Sequence, residues 1–218
     1  MKKEVLSDWN IVNKGTKTEN IFSKLTSNFS LNEEVPSVYI RNLWEKYKRL
    51  PNKYQSNSMN GKIFEAIIYT VFIKEKVTPI YFQAELEFVP NIKYDLVVFP
   101  KRDSGDVDVS SPIGFSLKTS LRERYKQADL EGLALKEVYK RAETYLITLD
   151  NEQEIESFER KVADKDIRGI DRCVNALSSD FDEVIRRLKR SGVGEPPNIK
   201  AIKSASEIKK EEGIYNEV

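Results

Sequence analysis

The chain has 218 residues, 33% of them charged, with 36 Lys and Arg against 35 Asp and Glu for a net charge of +1. That length accommodates one domain with a sizeable core, and the charge balance carries no global signal for a polyanionic partner. Histidine is absent and Cys173 is the one cysteine, which excludes Ser-His and Cys-His catalysis, His-ligated or Cys-cluster zinc, and an internal disulfide.

Carboxylates and lysines remain for chemistry, and hard oxygen ligands suit Mg²⁺, with Mn²⁺ as a substitute. No apolar run is long enough to span a bilayer, and the opening Met1–Val5 lacks the apolar stretch of a signal peptide. A cytoplasmic location is therefore expected.

Residues 1–35 are polar and weakly periodic, with short apolar pieces at Val5–Trp9 and Ile21–Leu31 that fit short helices. Residues 37–50 predict a helix with Val38, Leu43, Tyr47 and Leu50 on one face, ended by Pro51. Gly61–Lys76 predicts the clearest early helix, with Phe64, Ile67, Ile68, Val71 and Phe72 at helical spacing and Glu65 beside that stripe. The period then falls to two. Ile80–Val89 reads as a strand, and Pro90-Asn91 as a turn. Lys93–Phe99 reads as a central strand, because Leu96–Phe99 is apolar without alternation. After a polar loop from Pro100 to Pro112, Ile113–Lys118 reads as a third strand. A long helix is predicted from Ser120 to Lys140, capped by Thr119 or Ser120, with Glu123 completing a capping box. Tyr145–Leu149 is a fourth strand, reached through that helix, which implies a parallel pair. Residues 151–163 and 178–190 predict helices, and the last twenty residues read as charged and peripheral. The fold class is α/β, with a mixed sheet flanked by helices.

Asp95 opens the second strand and Lys118 closes the third, so neighbouring strands bring both to one sheet edge. A divalent cation there would take the Asp95 carboxylate and the backbone carbonyl of Leu117, and Lys118 would neutralise charge developing on a phosphate. A second carboxylate is needed. Ser116 occupies the position two before the lysine and cannot supply it. Glu131, thirteen residues after Lys118, shares a helix face with Gln127 and Arg124 and is a substitute. Glu65 is a candidate outer ligand. Each residue also has a plainer role: Asp95 as a turn former, Lys118 as a surface lysine, Glu131 as an ordinary helix acid, Glu65 as half of an exposed ion pair.

Arg122-Glu123-Arg124 is poorly placed for the dipole of a helix that starts there. Arginine can bond guanine O6 and N7 together, and glutamate can accept from cytosine N4. The triplet thus suits consecutive G·C pairs, a solvated first turn being the plainer reading. Lys126 extends this basic stretch. Another runs from Arg41 to Tyr54, with Arg41, Lys46, Lys48, Arg49 and Lys53 against Glu45 alone. Both are compatible with DNA, and solvated faces are the plainer account.

Together, Asp95, Ser116-Leu117-Lys118, Arg122-Glu123-Arg124 and Glu131 resemble the CCGG-type branch of the PD-(D/E)XK restriction endonucleases. The resemblance covers residues 61–150 and departs from the family pattern in carrying Tyr94-Asp95 where Pro-Asp is usual. It implies a homodimeric, Mg²⁺-dependent nuclease acting on double-stranded DNA. The site would be a short palindrome built on CC…GG, of CCNGG or CCWGG type, with one strand cut per subunit. No membrane and no nucleotide cofactor are implied. Asp95 and Glu131 would be metal ligands, Lys118 the catalytic lysine, Ser116 the vacated acid position and Glu65 an auxiliary carboxylate. Arg122, Glu123 and Arg124 would read the CC and GG pairs. Some relatives flip central bases onto an aromatic side chain. Trp44, Tyr47 and Tyr54 are candidates, with helix packing preferred for Trp44 and Tyr47. Residues 1–58 are then expected to form a helical, DNA-contacting arm, and 59–218 the nuclease core with a peripheral C-terminal segment. The alternatives are a structure-specific nuclease or resolvase on the same core, which the triplet argues against, and a non-catalytic DNA-binding protein, which the complete Asp95, Lys118 and Glu131 set argues against.

Overall fold

The computed structural model describes residues 6–26, 35–86, 88–89, 91–122, 125–195, 202–203 and 206–207. Three helices come first: α1 (Lys17–Thr26), α2 (Pro36–Lys48) and α3 (Asn57–Lys74), with a 3-10 turn at Asn52–Tyr54. The strands β1 (Tyr81–Leu86), β2 (Tyr94–Val98) and β3 (Ile113–Lys118) follow. Then come α4 (Tyr125–Val138), β4 (Glu143–Thr148), α5 (Glu152–Ala163), β5 (Arg172–Asn175) and α6 (Ser179–Ser191). Two-residue strands β6 (Ile202–Lys203) and β7 (Ser206–Glu207) pair antiparallel with β1.

The chain is an α/β fold whose mixed sheet has five full strands in the order β5-β4-β3-β2-β1. β1, β2 and β3 form an antiparallel meander, while β3, β4 and β5 are parallel. The change of direction falls at β3. Its parallel partner is reached through α4, as the strand–helix–strand pattern requires.

Both faces of the sheet are covered. On one side α3 carries Ile63, Phe64, Ile67, Val71 and Phe72 against Leu96, Val98, Phe115, Leu117 and Ile147, and the same apolar cluster takes in Leu6, Trp9, Phe22 and Leu43. Phe115 is stacked on Tyr145 and meets the edge of Phe72, both at 5.4 Å. On the other side Tyr81, Val97 and Phe99 pack against Leu135, and Leu146 and Cys173 against Ala128 and Phe158 of α4 and α5. Cys173 is buried, and burial pushes its thiol up to about 12, so it is an inert core residue.

The predicted long helix starts later than expected. Leu121 N–H donates to the Asp150 carboxylate and Arg122 takes φ +24°, so the chain turns there before α4 begins at Tyr125. Thr119, Ser120 and Leu121 are not helical, and Glu123 of the expected capping box lies outside the described residues. α5 and α6 begin where expected, each on a true cap: Asn151 accepts from Glu154 N–H and Ser178 from Asp180 N–H. Ser178→Ala is expected to lower the unfolding free energy by about 1 kcal/mol, with an unchanged slope, in urea titrations.

Candidate functional site

β2 and β3 place an acid and a lysine side by side. Their ladder ends at Leu96↔Phe115. Strict alternation would set Tyr94 on the α3 face with Leu96 and Val98, yet it lies in the α4-side cluster with Val97 and Phe99. The alternation slips at Asp95. Gln83, which stands opposite it between the pairs Phe82↔Leu96 and Ala84↔Tyr94, has φ +51°. The slip leaves the Asp95 carboxylate, rather than a strand carbonyl, to accept from Leu117 N–H at 2.7 Å and from Lys118 Nζ at 2.8 Å, both on Oδ2. Lys118 and Asp95 side chains are 14% and 15% exposed, so this is a half-buried pair and not a surface contact. Tyr69 of α3 donates to the Asp95 carbonyl at 2.8 Å, fixing the buckled backbone.

Glu131 approaches from α4. Ser116 Oγ donates to its Oε2 at 3.4 Å, and Gln127 Nε2 to its Oε1 at 2.7 Å. Burial, chiefly, raises its pKa, with Asp95 adding and Gln127 and Lys118 opposing. α4 is pinned here. Tyr94 hydroxyl donates to the Glu131 carbonyl at 3.0 Å. Gly132 meets Gly169 so closely that a Cβ on Gly132 would stand 2.0 Å from the Gly169 carbonyl oxygen, and one on Gly169 would stand 1.8 Å from the Asp129 carbonyl oxygen. The Asp129 carboxylate also accepts from the N–H groups of Arg168 and Gly169.

Glu65 comes from α3. Burial and the neighbouring Asp95 carboxylate push its pKa up to about 7, against the opposing field of Lys118 and Lys62. Nothing among the described residues hydrogen-bonds to its carboxyl group. A carboxyl raised by burial and by a neighbouring acid, with no hydrogen-bond partner among the described residues, is a functional-site candidate.

Asp95, Ser116, Leu117, Lys118, Glu131 and Glu65 are therefore brought together at one end of the sheet. No three His, Cys, Asp or Glu among the described residues form a ready-made metal cage. The donor set fits an ion that retains several waters, since Mg²⁺ is often held by one or two carboxylates with the rest of its shell from water and substrate. Asp95 and Glu131, with the Leu117 carbonyl at the strand end, are the groups that would hold it, and Glu65 stands outside them.

The remaining sequence candidates divide. Arg122 and Lys126 are exposed beside the site. Glu123 and Arg124 lie outside the described residues. Tyr47 is fully buried and donates to Asn60 Oδ1 at 2.8 Å, so it is part of the core and not of a DNA-facing surface. Trp44 packs on Tyr47 and Phe64, with Lys48 Nζ 5.8 Å from its ring. Tyr54 is partly exposed on the 3-10 turn. Sequence reasoning had no signal for Tyr69, whose role depends on the buckle at Asp95. It also missed β5, a four-residue strand with one charged and one polar end.

Comparison of the chain with protein-family models, with curated proteins and with solved structures finds no match. No helix among the described residues is long and apolar enough to cross a membrane.

Proposed function

We propose that this protein is a Mg²⁺-dependent, sequence-specific endonuclease of the PD-(D/E)XK type. Its substrate would be double-stranded DNA at a short palindrome built on CC…GG, with one strand cut by each subunit of a homodimer. The observation that carries the reading is the Asp95–Lys118 pair at 2.8 Å on adjacent strand ends, with Glu131 and Glu65 converging on it from helices on opposite faces of the sheet. A bound Mg²⁺ would polarise the scissile phosphate and lower the pKa of a water. Lys118 holds a positive charge where negative charge grows on the phosphoryl oxygens. Asp95 is oriented by Leu117 N–H and Lys118. Glu131, held by Gln127 and Ser116, supplies from α4 the carboxylate that Ser116 cannot supply from β3.

Arg122, exposed on the chain between β3 and α4, is suited to a base edge, where one bidentate contact is worth about 1–3 kcal/mol. Arg122→Ala is expected to weaken binding to the cognate duplex by that amount and to leave binding to unrelated duplexes nearly unchanged. Competition gel shifts with the two kinds of duplex measure it.

The test of the function itself is incubation with plasmid DNA in Mg²⁺ and in EDTA, followed by sequencing of fragment ends. Discrete Mg²⁺-dependent fragments ending at CC…GG sites are expected. Cutting that follows junctions rather than sequence, or DNA left intact across several divalent metals and diverse substrates, would sink the reading.

A further inference from the structure

Two buried tyrosines hold the backbone of the carboxylate pair. Tyr69 of α3 and Tyr94 of β2 are 3% and 2% exposed. Tyr69 hydroxyl donates to the Asp95 carbonyl at 2.8 Å, and the Gln83 side chain hydrogen-bonds the same hydroxyl. One phenol on α3 thus grips both strands of the slip, Gln83 on β1 and Asp95 on β2. Phe82 packs beside it, 5.1 Å from ring centre to ring centre. The slip carries a cost, because φ +51° at Gln83 lies in the left-handed region that a residue with a Cβ avoids. A regular β1–β2 ladder has no such cost. Backbone in this conformation persists where its surroundings hold it, and Tyr69 bonds to both residues concerned.

The slip decides where Tyr94 goes. Regular alternation would set it on the α3 face with Leu96 and Val98, and the slip sends its ring into the α4-side cluster with Leu135. From there its hydroxyl donates to the Glu131 carbonyl at 3.0 Å. Tyr94 and Asp95 are consecutive, so the strand that carries one carboxylate reaches across to the helix that carries the other. The two carboxylates are close enough for the Asp95 charge to oppose ionisation of Glu131. A buried hydroxyl that only needed a partner could take any carbonyl within reach. These two take the carbonyls of the two acids themselves, one from each face of the sheet.

We propose that Tyr69 and Tyr94 are positioning residues that together set the separation of the Asp95 and Glu131 carboxylates. This rests on the nuclease reading, in which those two acids hold the Mg²⁺. Tyr69 keeps the slip in place, the slip aims Tyr94 at α4, and Tyr94 ties α4 to the residue beside Asp95. Groups that orient the ligands of a metal govern its affinity without touching it.

The test uses Tyr69→Phe, Tyr94→Phe and the double variant, in which each ring stays and its hydroxyl is lost. Mn²⁺ binding to the DNA-free protein is measured by calorimetry. Each single variant is expected to bind about tenfold to a hundredfold more weakly. The double variant should bind about as weakly as the worse single one, because both hydroxyls act on one separation. Hydrogen exchange supplies a readout that a merely structural role would not give. Leu117 N–H is held by the Asp95 carboxylate, and Ile147 of β4 is its ladder neighbour. In Tyr69→Phe, exchange at Leu117 should quicken on the order of tenfold while Ile147 keeps its native rate. Native Mn²⁺ affinity in both single variants, or exchange that quickens equally at Leu117 and Ile147, would overturn the proposal. If the double variant does not fold, the single variants decide. A native protein that binds no Mn²⁺ sinks the metal reading of the site instead, and exchange at Leu117 then judges the tyrosines by itself.

Discussion

Lys118→Ala is expected to lower single-turnover cleavage of cognate DNA by about a thousandfold while leaving duplex affinity nearly unchanged. Removing one preorganised charge from a developing oxyanion costs about 10²–10³ in rate, and here the loss also frees Asp95. In the native chain the Asp95 Oδ2 is shared between Leu117 N–H and Lys118 Nζ. With alanine at 118 only the backbone donor remains to orient it. Arginine should not restore activity, because its planar guanidinium cannot replace a compact ammonium 2.8 Å from one carboxylate oxygen. Removing one partner of a half-buried pair also costs stability, so melting curves must accompany the rates. Cleavage by Lys118→Ala at the native rate would remove the lysine from the chemistry.

The second large effect concerns Glu65 and needs no DNA. Its carboxyl group is pushed from the ordinary 4.5 up to about 7. Between those values the folded chain holds a proton that the unfolded chain has released. The unfolding free energy therefore falls as pH rises through that window, and the full penalty stands above pH 7. The displacement corresponds to about 3 kcal/mol. Glu65→Gln removes the titration. The variant should match the native protein at pH 4.5 and exceed its stability by on the order of 2–3 kcal/mol at pH 8. Urea unfolding at the two pH values decides it, and identical pH dependence in both proteins would show that Glu65 is not held as an unpaired carboxyl.

The strands β1 to β4 and the apolar stripe of α3 were legible because their periods are unambiguous. So was the meeting of Asp95 with Lys118, which follows once an acid at one strand start and a lysine at the next strand end are read as neighbours. Glu131 was found by its spacing from Lys118 and its shared face with Gln127, and the structure gives both residues a direct bond. The start of α4 was not legible. Leu121 N–H is taken by Asp150, a tertiary bond that no local pattern announces, and Glu123 lies outside the described residues. Nor was the slip at Asp95, since positive φ at Gln83 leaves no mark in a sequence where glycine is the expected residue for that conformation. The burial of Tyr47 was legible as well: it stands on the apolar face of residues 37–50, where helix packing is the preferred reading, and α2 packs it into the core beside α3.

An acid two residues from the lysine on one strand would have its position set by covalent bonds, like marks on a ruler. Glu131 instead sits on α4, and α4 is located by the Gly132–Gly169 contact with the segment leading into β5. The distance between this carboxylate and Lys118 is thus a property of how two halves of the sheet are assembled. A single methyl group at either glycine is enough to alter it. Selection can adjust that spacing from outside the site, through residues that belong to neither the carboxylates nor the lysine. The same freedom makes the site vulnerable to substitutions that inspection of its own side chains would pass as harmless.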